Sequence, residues 1–272
     1  MRASLLAVPI LLLVVQLAAQ QTNTEPSRVS AILQQMNNSD VVERENALDA
    51  ASNLLASENT APRDIERLRL GMIGLLTSEN ARDNIPDEEI AKVAPASGEA
   101  YDEEADAESQ RFMQGLIAAV AGFNDERAIP ALAGAVCWGD TVTKALLALG
   151  DKALAPVVDQ LRSRNSSLRT CSLVMLIGLG PNGVISQTRI KELIRSSLND
   201  SDPSVRTRVV WAIDCRKDRQ DFAPLLQQVA KTDPTKLPGK ALDGGDGDEF
   251  YPVRYDARRA LRHIQNNQPC GP

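Results

Sequence analysis

A cluster of carboxylates between residues 242 and 249 offers the clearest metal-binding chemistry in this sequence. The segment reads Leu-Asp-Gly-Gly-Asp-Gly-Asp-Glu, and Asp243, Asp246 and Asp248 are its weak candidate calcium ligands. Calcium is coordinated by roughly six to eight oxygen atoms, which a glycine-rich acidic loop can supply. The spacing does not fit the helix–loop–helix calcium pattern, because no glutamate closes the loop at the required position. The main prediction is therefore a solvated insertion, with calcium binding as the alternative.

The sequence offers little for acid–base or covalent catalysis. Its single histidine, His263, stands off the apolar stripe of the last predicted helix, and the pattern predicts a side chain that faces solvent. A nucleophilic triad needs a nucleophile, a base and an orienting group, and the spacing brings no serine or cysteine to this histidine. The segment from Gly178 to Gly183 imitates a phosphate-binding loop but follows a predicted helix, not a strand. We predict no catalytic residue and no cofactor.

The N-terminal residues 1–20 have the pattern of a secretory signal peptide. Arg2 is a basic start, an apolar stretch runs from Leu5 to Leu17, and two alanines follow where cleavage requires small residues. An uncleaved membrane anchor is the alternative, but the apolar stretch is shorter than the roughly 20 residues that span a bilayer. We therefore expect a secreted or periplasmic protein with no membrane insertion after cleavage.

Four cysteines, Cys137, Cys171, Cys215 and Cys270, follow the predicted signal peptide. No two share a short ligand spacing, so a metal site is not predicted. In an oxidising compartment an even count suggests disulfides, with three possible pairings. On parallel neighbouring helices Cys171 and Cys215 would differ in height by about 10 Å, which disfavours that bond. The sequence favours Cys137–Cys171 with Cys215–Cys270, while an unpaired, buried Cys171 stays open as an alternative.

The composition favours a helical protein and argues against a nucleic-acid partner. Aromatic residues make up only 3% of the chain, whereas a β-sandwich or barrel would be richer in aromatic and β-branched residues. Alanine and leucine are abundant and favour helix. The net charge is −6, and nucleic-acid-binding proteins usually carry a basic footprint.

A short helix-starting pattern recurs along the chain and indicates internal repeats. Pro130, Pro156 and Pro224 each precede an apolar pair, and another apolar residue follows five or six places after the proline. A fourth copy has Glu192 in the place of the proline. The four anchors lie 26, 36 and 32 residues apart, a period typical of stacked helical units. Such stacks usually form binding surfaces rather than catalytic pockets.

A polar cap followed by an arginine begins the second helix of several units. The segment from Asp202 to Arg206 shows it most clearly, and the residues before Arg169 and Arg254 give two further versions. The caps supply acceptors for the first free amide groups of a helix. Apolar residues then continue at helical spacing. This arrangement resembles the HEAT-repeat family, especially its short subclass related to phycobilisome lyases.

The resemblance implies an all-α fold, a right-handed α-solenoid of stacked HEAT-like helical pairs. It also implies that the arginine and a capping aspartate link neighbouring units. The resemblance therefore assigns structural roles to Arg169, Arg206, Arg254 and Asp202. In the last unit, Phe250 occupies the position equivalent to Asp202. The resemblance covers residues 110–266 well and residues 27–80 weakly, and it implies little about function.

The sequence divides the chain into five segments. They are the signal peptide at 1–20, an N-terminal helical region with weak repeat character at 21–81, an acidic linker or loop at 82–109, the repeat domain at 110–266 and a tail at 267–272. The linker could also be an acidic recognition segment for a basic partner. An insertion at 232–249 interrupts the repeat domain. Because insertions in repeat proteins often lie on the binding face, it is the best candidate recognition element.

The leading functional prediction is a non-catalytic secreted or periplasmic scaffold that binds another protein through its concave face. The sequence does not identify that partner. One alternative, suggested by the resemblance, is a lyase-like or chaperone-like handler of a prosthetic group; the signal peptide and the lack of a clear nucleophile weigh against it. A second alternative is a structural module stabilised by calcium.

Overall fold

The computed structural model describes residues 27–89, 103–179, 185–238 and 249–270, and in these ranges the protein is all-α. Short 3₁₀ turns and one pair of two-residue strands, β1 (Leu237–Pro238) and β2 (Glu249–Phe250), join the helices. No helix within these ranges combines the length and apolarity that crossing a membrane requires. The helices are α1 (Arg28–Gln35), α2 (Val41–Ala56), α3 (Pro62–Asp83), α4 (Glu103–Gly122), α5 (Ile129–Gly134), α6 (Asp140–Ala148), α7 (Asp151–Gln160), α8 (Ser166–Leu179), α9 (Gln187–Ser197), α10 (Pro203–Asp214), α11 (Ala223–Thr232) and α12 (Pro252–Gln265).

Side-chain caps and prolines begin several of these helices, as the sequence predicts. The Asp40 carboxylate accepts a hydrogen bond from the backbone N–H of Val42 at 2.9 Å, and Asp202 accepts one from Ser204 at 2.7 Å. Both bonds satisfy amide groups that have no partner inside the helix. Pro130 and Pro224 lie in the first turns of α5 and α11, where the missing N–H is not needed.

Pro156 does not begin a helix, and the prediction that it does is wrong. It lies inside α7, which starts at Asp151 directly after Gly150. Gly150 has a φ of 64°, a left-handed conformation that lets the chain turn from α6 into α7 without a longer loop. Ala153 and Val157, one helical turn apart, are both buried. The apolar stripe of α7 therefore extends ahead of the proline.

The helices pack in two series that alternate along the chain. In the first, which we call the odd row, α1 contacts α3, α3 contacts α5 and α5 contacts α7. In the second, the even row, α2 contacts α4, α4 contacts α6, α8 contacts α10 and α10 contacts α12. The 3₁₀ turn at Val136–Trp138 bridges α6 and α8, while α9 and α11 pack on α10 and α12. One continuous apolar core runs between the rows from Val29 to Ile264.

A buried ion pair connects α10 to the end of α11. Arg206 donates from Nε to Asp233 Oδ2 at 2.7 Å and from Nη2 to Oδ1 at 3.2 Å. Its Nη1 donates to the backbone carbonyl of Asp200 at 2.6 Å. The two side chains are 8% and 5% exposed, so this forked pair is shielded from water. Such two-pronged geometry fixes both partners in position.

The same arrangement recurs in neighbouring units, and we call the series the arginine ladder. Arg169 donates to both carboxylate oxygens of Asp200, at 2.9 and 2.8 Å, and to the carbonyl of Ser163 at 2.8 Å. Arg254 donates to the carbonyl of Asp233 at 2.6 Å. Asp200 and Asp233 each bind one arginine through the carboxylate and the next through the carbonyl. Each aspartate therefore joins two successive even-row helices.

Two details of the ladder differ from the sequence analysis. Asp202 does not link units, because its side chain caps its own helix, α10; Asp200 is the linking residue. The ladder also has an unpredicted member, Arg44, which donates to Glu79 at 2.6 Å and lies over the ring of Phe112 at 3.9 Å. Arg44, like Arg169 and Arg206, is the fourth residue of an even-row helix.

Residues 84–89 lie against the start of α8, although they are distant from it in sequence. Asn165 donates to the carbonyl of Ile85 at 2.9 Å, and the Asp87 carboxylate accepts from the backbone N–H of Ser166 at 2.9 Å. The negative charge of this carboxylate is also stabilised by the positive, N-terminal end of the helix dipole. The beginning of the predicted linker is thus anchored to the start of α8.

The end of the predicted linker is helical. Residues 82–109 were expected to form an acidic linker or loop, but α3 continues to Asp83 and α4 already begins at Glu103. The acidic stretch before Phe112 is made mainly of glutamate and alanine, which are strong helix formers. The described part of this stretch forms the first turns of α4 and does not belong to a loop between α3 and α4. Residues 90–102 lie outside the described ranges.

Replacing Arg206 tests how much the ladder stabilises the fold. The substitution Arg206→Met leaves the buried Asp233 carboxylate unpaired, and we expect a loss of about 3–5 kcal/mol in the free energy of unfolding. The matched control is Arg189→Met, which breaks the exposed pair with Glu192 within α9. That pair should be worth no more than about 0.5 kcal/mol. Urea unfolding followed by circular dichroism measures both, and equal losses would contradict the ladder's role.

The same variant should change the pH dependence of stability. Burial raises the pKa of Asp233, but hydrogen bonds from Arg206 and Thr235 outweigh burial, so the pKa lies below its usual value. A carboxyl group with a lowered folded-state pKa stabilises above its unfolded pKa, and this contribution is lost as the pH falls through the folded pKa. The stability difference between wild type and Arg206→Met should therefore narrow as the pH falls from neutral through the usual carboxyl range and below it. A constant difference would contradict the assignment.

Candidate functional site

The candidate calcium ligands Asp243, Asp246 and Asp248 lie outside the described residues, so calcium binding stays a prediction. The structure describes the two arms of that insertion, where Leu237 pairs with Phe250 across β1 and β2. Among residues 27–89, 103–179, 185–238 and 249–270, no three histidine, cysteine or carboxylate side chains form a group that could hold a metal ion.

The single histidine does not face solvent, and that prediction is wrong. His263 Nδ1 lies 2.7 Å from Asp214 Oδ2, and the two side chains are only 17% and 3% exposed. Arg219 donates to the backbone carbonyl of Asp214 at 3.0 Å. Because α10 and α12 pack side by side, the last residue of α10 meets the last turn of α12. The histidine thus supplies a partner for a buried carboxylate.

This histidine–aspartate pair has the form of the orienting half of a catalytic triad, but its surroundings are structural. Cys270, the nearest cysteine in sequence, is bonded to Cys215 and is not a free nucleophile. The backbone N–H of Gln268 donates to the carbonyl of His263 at 2.8 Å, and Arg219 donates to the carbonyl of Gln268 at 2.5 Å. Together these contacts hold the C-terminal tail on α10 and α12.

Two disulfides join the cysteines in the pairing that the sequence favours. Cys137, in the 3₁₀ turn before α6, bonds to Cys171 of α8, and Cys215 at the end of α10 bonds to Cys270 in the tail. The bonds close segments with sequence separations of 34 and 55 residues. Closing loops of this length restricts the unfolded chain and so stabilises the folded state.

An open groove crosses the surface of α6, α8 and α10, and we call it the Trp211 groove. One cavity of 720 Å³ lies between α8 and the end of α10, and a second of 440 Å³ lies between α6 and α8. The two adjoin, because the same three residues, Val174, Gly178 and Trp211, line both. Cys215 borders the first, and Cys137 with Cys171 borders the second.

Only some of the charged side chains at this groove form ion pairs within the described residues. Arg216 donates to both carboxylate oxygens of Asp218, at 2.7 and 2.9 Å, and this bond holds the pKa of Asp218 below its usual value despite partial burial. Arg208 lies over the ring of Trp211, 5.2 Å from its centroid. Within the described part of the chain, neither Arg208 nor Lys217 forms an ion pair with a carboxylate. Two basic groups at the groove are therefore available to a ligand.

The helices of this groove follow from the sequence patterns, but its lining residues do not. Trp211 and Arg208 lie among apolar positions that looked like ordinary core of α10. The available signal was Trp211 itself, one of two tryptophans in a chain with 3% aromatic residues. Comparison of the chain with protein-family models and with curated proteins gave no match. The HEAT-repeat resemblance is therefore carried by the residues alone.

Replacing His263 tests its structural role. The substitution His263→Ala removes a hydrogen-bond partner from the buried Asp214 carboxylate, and we expect a loss of about 1–3 kcal/mol in stability. Arg262→Ala is the matched control, because Arg262 is an exposed neighbour on the same helix. Its effect should stay within about 0.5 kcal/mol. Urea unfolding measures both variants, and an unchanged stability of His263→Ala would contradict the structural role of the His263–Asp214 pair.

Proposed function

We propose that this chain is a HEAT-like repeat protein folded as a right-handed α-solenoid of helical pairs. The alternating odd and even rows support this, because each helix contacts its neighbours along the stack more than distant helices. The recurrence of an arginine as the fourth residue of α2, α8 and α10 supports it further. A related subclass handles prosthetic groups, but no feature of the described residues favours that activity here.

We propose that the protein is a non-catalytic scaffold that binds another protein through the face of its even row. The observation that carries this proposal is the Trp211 groove, an open and largely apolar channel across three neighbouring helices. Exposed apolar surface that is contiguous commonly marks an interaction site. Tryptophan and arginine, which meet here as Trp211 and Arg208, are also enriched among residues that dominate binding energy.

We also propose a secreted or periplasmic location. The signal-peptide pattern of residues 1–20 supports it. Two disulfides are consistent with an oxidising compartment, since such bonds are rare in the cytosol.

Affinity capture with matched variants tests the scaffold function. The tagged chain is incubated with the secreted or envelope fraction of its source cells, and bound proteins are identified by mass spectrometry. Trp211→Ala alters the groove, while Trp138→Ala removes the other tryptophan, which does not line it. A third variant lacks residues 239–247 of the insertion. Melting temperatures confirm that each variant is folded.

The expected result is a partner captured by the wild type, by Trp138→Ala and by the insertion deletion, but lost from Trp211→Ala. A partner lost only with the insertion deletion would keep the scaffold function and move the contact to the insertion. A wild-type chain that captures no specific protein from either fraction would overturn the scaffold function.

A further inference from the structure

The Trp211 groove has the dimensions of a site for an extended peptide. Packed helices such as α8 and α10 lie about 8–10 Å apart. The 3₁₀ turn at Val136–Trp138 lies between α6 and α8, so the channel across all three helices is at least about 20 Å long. An extended chain advances about 3.3 Å per residue, so about six or more residues span it. The lining is apolar along its length, with Leu147 from α6, Val174 and Ile177 from α8 and Trp211 from α10. Half-buried Trp211, shared by both cavities, offers a ring against which a large apolar side chain can pack.

The charges of the groove favour an acidic segment. The chain as a whole carries a net charge of −6. The groove nevertheless has two basic residues, Arg208 and Lys217, that form no ion pair within the described ranges. Arg216 does not contribute a free charge, because Asp218 neutralises it. Two carboxylates line the described part of the groove: Asp218, which is paired with Arg216, and Asp140, at the α6 end. Carboxylates of a ligand should therefore lie at the α10 end, beside Trp211.

Disulfides hold both ends of the groove. Cys137–Cys171 ties the turn before α6 to α8, and Cys215–Cys270 ties the end of α10 to the tail. A groove whose walls are fixed before binding loses less conformational entropy when a ligand enters. Rigid walls of this kind suit recognition of one defined peptide rather than many shapes.

We propose that the Trp211 groove binds an extended segment of a partner protein in which a large apolar residue is flanked by carboxylates. The proposal rests on the scaffold function and adds the chemistry of the partner. The apolar residue packs on Trp211 and Val174, and the carboxylates pair with Arg208 and Lys217.

Peptide binding in a single-tryptophan chain tests the proposal. Trp138→Phe leaves Trp211 as the only tryptophan, so its fluorescence reports directly on the groove. Three synthetic peptides are titrated: one with phenylalanine between glutamates, one with lysines in place of the glutamates, and one with serine in place of the phenylalanine. We expect the first peptide alone to change Trp211 emission in a saturable way, and its affinity to fall as salt is added.

Charge reversal supplies the second arm of the test. The double variant Arg208→Glu/Lys217→Glu should weaken binding of the acidic peptide at least about tenfold, which corresponds to about 1.4 kcal/mol. The matched control, Arg195→Glu/Lys231→Glu, changes the net charge equally at exposed sites on α9 and α11. It should leave the affinity unchanged. Equal weakening in both double variants would show that only overall charge matters and would overturn the proposal.

Other occupants of the groove give distinct results. A second copy of the chain would appear as a dimer in sedimentation that Trp211→Ala dissociates. The protein's own acidic segment would appear as acidic-peptide binding that strengthens when residues 239–247 are deleted. Either result, or equal binding of the lysine peptide, would overturn the proposal. If affinity capture still yields a partner that depends on Trp211, only this inference fails and the scaffold function stands.

Discussion

The sharing of one aspartate between two arginines is the interaction on which the rest of this structure depends. Asp233 binds Arg206 through its carboxylate and Arg254 through its carbonyl, and Asp200 does the same for Arg169 and Arg206. Apolar packing alone lets helices slide past one another, since it has little directional preference. Charged, forked hydrogen bonds have a defined geometry. The ladder therefore sets the heights of α8, α10 and α12 relative to one another, and the apolar core packs against these helices.

Fixed helix heights explain why the Trp211 groove is continuous. Arg169 and Arg206 occupy the same position in α8 and α10, so the residues five places later, Val174 and Trp211, lie side by side. The ladder lies at the N-terminal ends of these helices and the groove extends toward their C-terminal ends. Structural and candidate binding residues are thus separated along each helix, and a change in one set need not disturb the other.

Much of this architecture follows from local sequence patterns, and the exceptions have physical reasons. Caps and helix-starting prolines could be predicted because each acts on its own helix, and the linking role of Arg169, Arg206 and Arg254 could be predicted from the family resemblance. The linking role of Asp200 could not be predicted, because Asp202, two places later, has the more obvious capping pattern. His263 looked solvent-facing because its partner, Asp214, lies on another helix. Pro156 was misplaced because a proline pattern marks a first turn more often than an interior one. Trp211 could not be singled out, because apolar periodicity does not identify a residue that lines a groove.

The carbonyl of Asp233 reaches Arg254 even though 21 positions separate them, whereas the equivalent carbonyls of Ser163 and Asp200 lie six positions from their arginines. The insertion is thus closed at its base, by the ladder and by the pairing of β1 with β2. Doubling the length of a closed flexible loop costs only about 0.6 kcal/mol. Residues could therefore be gained or lost here over evolutionary time while the neighbouring helices keep their places. The same property makes this insertion a natural position for grafting a foreign epitope or reporter sequence.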